Sequence, residues 1–174
     1  LVIFFLQNIY LDGFIKGRIT NAFDEAYPAY SVQIAGLRYS IWENRLECDS
    51  IELRKLDSTF SCSVARLSLR GIGRIQLFWG GGVAPDNLVS SDMDAEDIVL
   101  TFPRSQYELR CERLRVSVPD SAIVFDALVL QPFISDEQFF AASKFSKTRF
   151  HLVIPRGSVM GSACLGMLHG EIHC

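Results

Sequence analysis

Apolar and polar residues in this chain follow an eight-residue pattern, apolar-x-apolar-x-x-apolar-x-apolar. It reads Val32, Ile34, Leu37, Tyr39; then Leu46, Cys48, Ile51, Leu53; then Cys62, Val64, Leu67, Leu69. It returns as Leu109, Cys111, Leu114, Val116 and as Ile123, Phe125, Leu128, Leu130. A strand turns alternate side chains to one face. Alternation that skips a residue and then resumes keeps the same face apolar only if the strand is bulged or bent. The pattern therefore predicts repeated, kinked strands with one apolar side. Apart from Tyr39 and Cys62, these positions form the candidate functional face, either an open apolar groove or the wall of a packed core.

The spacers carry as much information as the apolar slots. Between Leu46 and Leu53 they are Glu47, Asp49, Ser50 and Glu52, and between Leu109 and Val116 they are Arg110, Glu112, Arg113 and Arg115. In a chain that is half apolar, about one strict copy arises by chance, so the copies alone say little. Two copies begin 14 residues after another, 46 after 32 and 123 after 109. Turn-forming residues separate the members, Trp42-Glu43-Asn44 and Pro119-Asp120-Ser121. A strand, a short polar turn and a second strand is the mark of a hairpin.

The rest of the chain reads as connections around these strands. Residues 1–6 are wholly apolar, too short to span a bilayer, which needs about 20 residues. They read as the tail of a truncated membrane anchor. Residues 7–28 read as an amphipathic helix carrying Ile9, Phe14, Ile15, Ile19 (or Ala22) and Phe23, ended by Pro28. Residues 29–174 form the repetitive β domain, with strands expected at about 31–54 and 59–70. Gly71 to Trp79 reads as a helical turn or wide connection. Residues 86–97 read as a solvated acidic loop before a short strand, Ile98 to Phe102. Ser135 and Gln138 match a capping box, so a short helix is expected near 135–145. Thr148 to Ile154 is a further strand, and the tail from Gly157 is weakly patterned. The fold class is mainly β with minor helix: an N-terminal helix, then a curved, repetitive antiparallel sheet with an apolar inner face.

Composition sharpens this. Of 174 residues, 49% are hydrophobic and 21% charged, with thirteen Phe, a heavy apolar load for one domain. The net charge of −3 gives no broad attraction for nucleic acid. The arginines of 104–115 are interrupted by Glu108 and Glu112 and read as the polar face of a strand. Of five cysteines, Cys48, Cys62 and Cys111 occupy apolar slots and read as small hydrophobes, so they suggest no disulfide framework.

Candidate chemistry is thin. Gly80-Gly81-Gly82 lacks the spacing of a phosphate-binding loop. Asp92, Asp94 and Glu96 lack the glycine and distal glutamate of a calcium loop. His169 and His173 stand four apart with Gly170 between them, a weak start for a zinc site, and His151 reads as the solvent side of a strand. No nucleophile elbow occurs, and the carboxylates fall in spacer slots. The expectation is a protein that is not an enzyme and has no cofactor.

The order of apolar anchor, amphipathic helix, Tyr30 to Ser40, Leu46 to Leu53, Val64 to Leu69, and Gly71-Ile72-Gly73 with Leu77-Phe78-Trp79 resembles the N-terminal region of AsmA-like proteins, including the TamB-related branch. Leu128 to Phe133, Ser135 to Phe140 and Thr148-Arg149-Phe150 extend the resemblance over most of residues 1–155. The resemblance implies an inner-membrane-anchored periplasmic protein of the cell envelope. Its strands would line a long apolar groove that moves phospholipid or other acyl chains toward the outer membrane, in contact with the membrane and other envelope proteins. It carries over no catalytic residue. The alternative is a non-catalytic structural or adaptor domain that binds a protein partner.

Overall fold

In a computed structural model the chain is a helix followed by one open, seven-stranded antiparallel sheet. Residues 2–40, 42–71, 91–135, 137 and 149–161 are described, residues 2–11 by their backbone alone. The helix α1 is Val2–Ala26, and the strands are β1 (Tyr30–Ser40), β2 (Arg45–Lys55), β3 (Ser61–Arg70), β4 (Asp92–Phe102), β5 (Tyr107–Ser117), β6 (Ala122–Pro132) and β7 (Leu152–Met160). Spatial order equals chain order.

Every expected strand has a counterpart; β4 is longer than the pattern suggested, and the strand expected at 148–154 is shifted to Leu152–Met160, which leaves His151 just before it rather than on a strand face. Asp92 to Asp97 is not a loop but the first half of β4. Met93 and Ala95 take apolar slots, while Asp94 and Glu96 stand opposite Arg115 and Arg113 on β5. Strand pairing therefore neutralises an acidic run that resembled solvated loop. Likewise β7 starts at Leu152 and continues through Gly157 to Met160, because Gly157 fills a slot opposite Phe125. At the N-terminus, one helix runs unbroken through residues 2–26 and passes both Gly13 and Gly17. The connection at 72–90, the expected helix at 135–145 apart from Ser135 and Glu137, and His169 with His173 lie outside the described residues.

All six strand pairings omit one position each, and the omissions line up. The unpaired residues are Ala35, Ser50, Ala65, Asp97, Glu112, Ala127 and Pro155. This is the skipped residue of the eight-residue pattern, now seen as a crease crossing the whole sheet. Ser50, Asp97 and Ala127 take φ of +51°, +50° and +51°, so the turn of the backbone is made on β2, β4 and β6. A one-residue slip of register would set apolar slots against polar ones. A two-residue slip would keep the faces but break the alignment of the crease, so the crease specifies register twice over. Pro155 has no N–H to offer a ladder, and it sits where the ladder asks for none.

Short hairpin loops join four of the strand pairs. Asn44, Ser58, Gln106 and Ser121 adopt positive φ there, the left-handed residue that lets such a loop re-enter a strand. The Asp57 carboxylate accepts from Thr59 N at 3.0 Å, an Asx turn, and from its hydroxyl. These bonds hold Asp57 near a pKa of about 2.

Candidate functional site

With register known, the apolar slots form four rows. The first is Val32, Leu53, Cys62, Leu100, Leu109, Leu130 and Leu152, and the second Ile34, Ile51, Val64, Ile98, Cys111, Leu128 and Ile154. Across the crease come Leu37, Cys48, Leu67, Ala95, Leu114, Phe125 and Gly157, then Tyr39, Leu46, Leu69, Met93, Val116, Ile123 and Val159. Every residue of the candidate face stands in these rows, and clusters of packed side chains join both sides of the crease, with Leu67 common to the two clusters.

Sequence reasoning missed the fourth and seventh copies. In β4 the slots are Met93, Ala95, Ile98 and Leu100, with a small Ala and acidic spacers. In β7 they are Leu152, Ile154, Gly157 and Val159, and the glycine hides the match. The Phe125 ring lies over Gly157, so closely that a methyl group there would sit 2.7 and 2.8 Å from two ring carbons. An aromatic ring covering a cross-strand glycine restores the buried area that the glycine lacks.

The helix α1 closes one end of this face. Ile15 is fully buried against Ile34, Leu37, Tyr39, Leu46 and Cys48, with Ile19 beside it. Phe14, expected on the packed side of the helix, is half exposed and lies under the Arg18 guanidinium at 5.3 Å. The helix also ties up the free edge of β1. Tyr39 N donates to the Asp12 carboxylate at 3.0 Å, and Lys16 Nζ donates to the Ala35 carbonyl at 3.3 Å. An open sheet edge invites unwanted pairing, and here two helical side chains satisfy it. Away from the helix, the rows are only half-buried at β6, and Leu152 on β7 is 50% exposed.

The thiols within the rows are suited to packing rather than reaction. Burial, aided by the neighbouring Asp49 charge, raises Cys48 to about 11, and burial pushes Cys62 and Cys111 up as well. A thiol kept protonated is a poor nucleophile and a poor metal ligand.

The opposite face carries a row of alternating charge: Asp49, Arg66, Glu96, Arg113, Asp126 and Arg156, each opposite the next in register. Arg66 lies 3.7 Å from Asp49 and 3.2 Å from Glu96; Arg113 lies 2.9 Å from Glu96, and Arg156 3.4 Å from Asp126. The expectation that the arginines of 104–115 line a polar strand face holds for Arg110, Arg113 and Arg115, while Arg104 lies in a turn. Near one end of the sheet, Glu108 is 7% exposed and accepts from Arg110 at 2.7 Å and Gln131 at 2.8 Å. These bonds, Arg110 first, lower its pKa despite burial. Its oxygens are spent on structure.

The arrangement presents apolar side chains and little polar chemistry. Among the described residues, the only polar side-chain atoms in the four rows are the Tyr39 hydroxyl and the three thiols. No helix among the described residues is long and apolar enough to cross a membrane. No protein-family model matches the chain, and no curated protein matches it.

Proposed function

We propose that this chain is a lipid-carrying segment of an envelope protein of the AsmA-like kind, held at the inner membrane and facing the periplasm, and that it is not an enzyme. The observation that carries the reading is the unbroken apolar face, four rows deep on all seven strands. Neighbouring strands lie about 4.8 Å apart, so beyond α1, from β3 to β7, a row runs about 19 Å. That exceeds half the hydrocarbon thickness of a bilayer, about 15 Å, so an acyl chain from one leaflet fits along it. Each CH₂ withdrawn from water there contributes about 0.8 kcal/mol. The envelope setting rests on the resemblance of residues 1–155 to that family.

A photocrosslinking side chain at Leu128, on the apolar face, should capture phospholipid in cells, while the same group at Arg113 on the opposite face should not. Capture at Arg113 with none at Leu128 would overturn the reading. A second reading, a structural or adaptor domain whose face is only a core, is favoured by one observation: Ile15 is fully buried where α1 crosses β1 and β2. Phe125→Asp separates the two. A carrier keeps its fold and loses lipid, whereas a closed core unfolds.

A further inference from the structure

The two edges of the sheet are treated differently. The β1 edge is sealed by Asp12 and Lys16 of α1. Among the described residues, the outer side of β7 has no neighbour. Natural edge strands are usually blunted by charge or by a proline that removes a ladder bond. The proline of β7 sits in the crease, where the ladder already skips a pair. The strand is also apolar on both faces: Leu152, Val153 and Met160 are 50%, 51% and 71% exposed. Such an edge invites a partner.

The sheet itself states what that partner must look like, because its strands are of two alternating kinds. In β1, β3, β5 and β7 the crease residue is fourth in the eight-residue pattern; in β2, β4 and β6 it is fifth and has positive φ. Charge follows the same alternation. β3, β5 and β7 place Arg66, Arg113 and Arg156 fifth, and β2, β4 and β6 place Asp49, Glu96 and Asp126 fourth. Each arginine on β3 and β5 therefore stands opposite a carboxylate on both sides. Among the described residues, Arg156 has one on its inner side only, and its side chain is 72% exposed.

We propose that the outer edge of β7 is a strand-acceptor site for an extended peptide of the second kind, apolar-x-apolar-acidic-x-apolar-x-apolar, whose carboxylate meets Arg156. Main-chain bonds to β7 supply affinity and the apolar and acidic slots supply specificity, the logic of strand addition. A second copy of this chain does not fit. Its own β7 would bring Arg156 to Arg156 and set two strands of the same kind side by side, with their creases out of line.

The test uses a fluorescent peptide of the β2 sequence, Arg45–Lys55 with Cys48→Val, titrated against the intact protein by anisotropy. Binding is expected, with amide-exchange protection appearing at Leu152–Met160. Arg156→Glu, or Arg156→Gln where the charge reversal disturbs β7, should weaken binding at least tenfold, and a peptide with Asp49→Lys should recover affinity for Arg156→Glu. A β3 peptide, Ser61–Arg70, should bind at least tenfold more weakly, as should the β2 peptide N-methylated along its backbone. The proposal is overturned if the β2 peptide does not bind, or if the β3 or N-methylated peptide binds as well. Protection appearing at β1 or β3 instead of β7, or dimers of the protein formed through β7, would overturn it equally.

Discussion

The two ends of this sheet carry the same pattern and live in different surroundings. On β1 and β2 the apolar slots beneath Ile15 of α1 are closed, and Leu46, Cys48, Leu37 and Ile34 are 2–8% exposed. On β6 and β7 the same slots are half-buried or open, with Leu152 at 50%. Periodicity tells which side of a strand is apolar. It does not tell what, if anything, lies against that side. At the near end the cover comes from α1, whose Ile15 packs on β1 and β2; a second buried cluster, Ala95, Ile98 and Cys111, lies on β4 and β5 beyond the helix, and burial falls off from there to β7.

The largest effect should come from truncating matched leucines at the two ends. Leu46→Ala removes a fully buried side chain next to Ile15 and should cost about 3–4 kcal/mol in urea unfolding. Leu130→Ala, half-buried on β6, should cost about 1 kcal/mol, because little transfer energy and no closed cavity are involved. Equal losses would mean that the far end is as tightly packed as the near one.

Cys48 sharpens the same contrast through pH. Its folded pKa is about 11 against an ordinary value of 9.0. The folded state thus favours the protonated thiol more than the unfolded state does. That contribution is complete below pH 9 and is lost as pH rises toward 11, by about 2 kcal/mol. Cys48→Val should flatten the fall in stability over that window, while Cys111→Val should flatten it less, because burial raises Cys111 but its backbone hydrogen bonds with Arg113 and Asp126 oppose the rise. Melting temperatures measured from pH 8 to pH 11 decide this. A Cys48→Val profile that matches the parent would remove burial by α1 as the cause.

Much of this architecture was legible in the sequence, and the parts that were not have physical reasons. The strands β1, β2, β3, β5 and β6 declared themselves because large aliphatic residues fill their slots. The copy in β4 was hidden because Ala95 is small and Asp92, Asp94, Glu96 and Asp97 surround it, a composition that reads as loop until arginines are found opposite. The copy in β7 was hidden because Gly157 borrows its apolar surface from Phe125 on the next strand, and no local window contains that fact. A usable signal was present in the spacers, where acid fourth in β2, β4 and β6 alternates with arginine fifth in β3, β5 and β7. The face itself was legible residue by residue. The reach of α1, and hence which part of the face is closed, was not: the pattern put Phe14 and Ile15 together on the apolar side, and of the two Ile15 alone turns inward.

At the far end, Gly157→Ala should destabilise the protein by about 1–2 kcal/mol, since the new methyl overlaps the Phe125 ring and forces it from its rotamer. The double variant with Phe125→Leu should recover part of that loss, a non-additivity expected of residues in direct contact. If the single and double variants simply add, the ring does not rest on Gly157. The far end would then be looser than the contact between Phe125 and Gly157 implies.

The smallest effect concerns the crease. Ala127 on β6 has φ of +51°, a conformation that costs an alanine about 1–2 kcal/mol and a glycine almost nothing. Glycine loses more chain entropy on folding, by about 0.5–1 kcal/mol, so Ala127→Gly should stabilise the protein by about 0.5–1 kcal/mol. Ser50→Gly on β2 should do the same at the near end, because the crease is one backbone feature shared by both ends and owes nothing to the helix. Paired melts of the two variants test that claim directly. Gains of similar size mark the crease as intrinsic to the sheet. A gain at Ala127 and a loss at Ser50 would mean that packing under α1, rather than the repeat, shapes the crease where the sheet is closed.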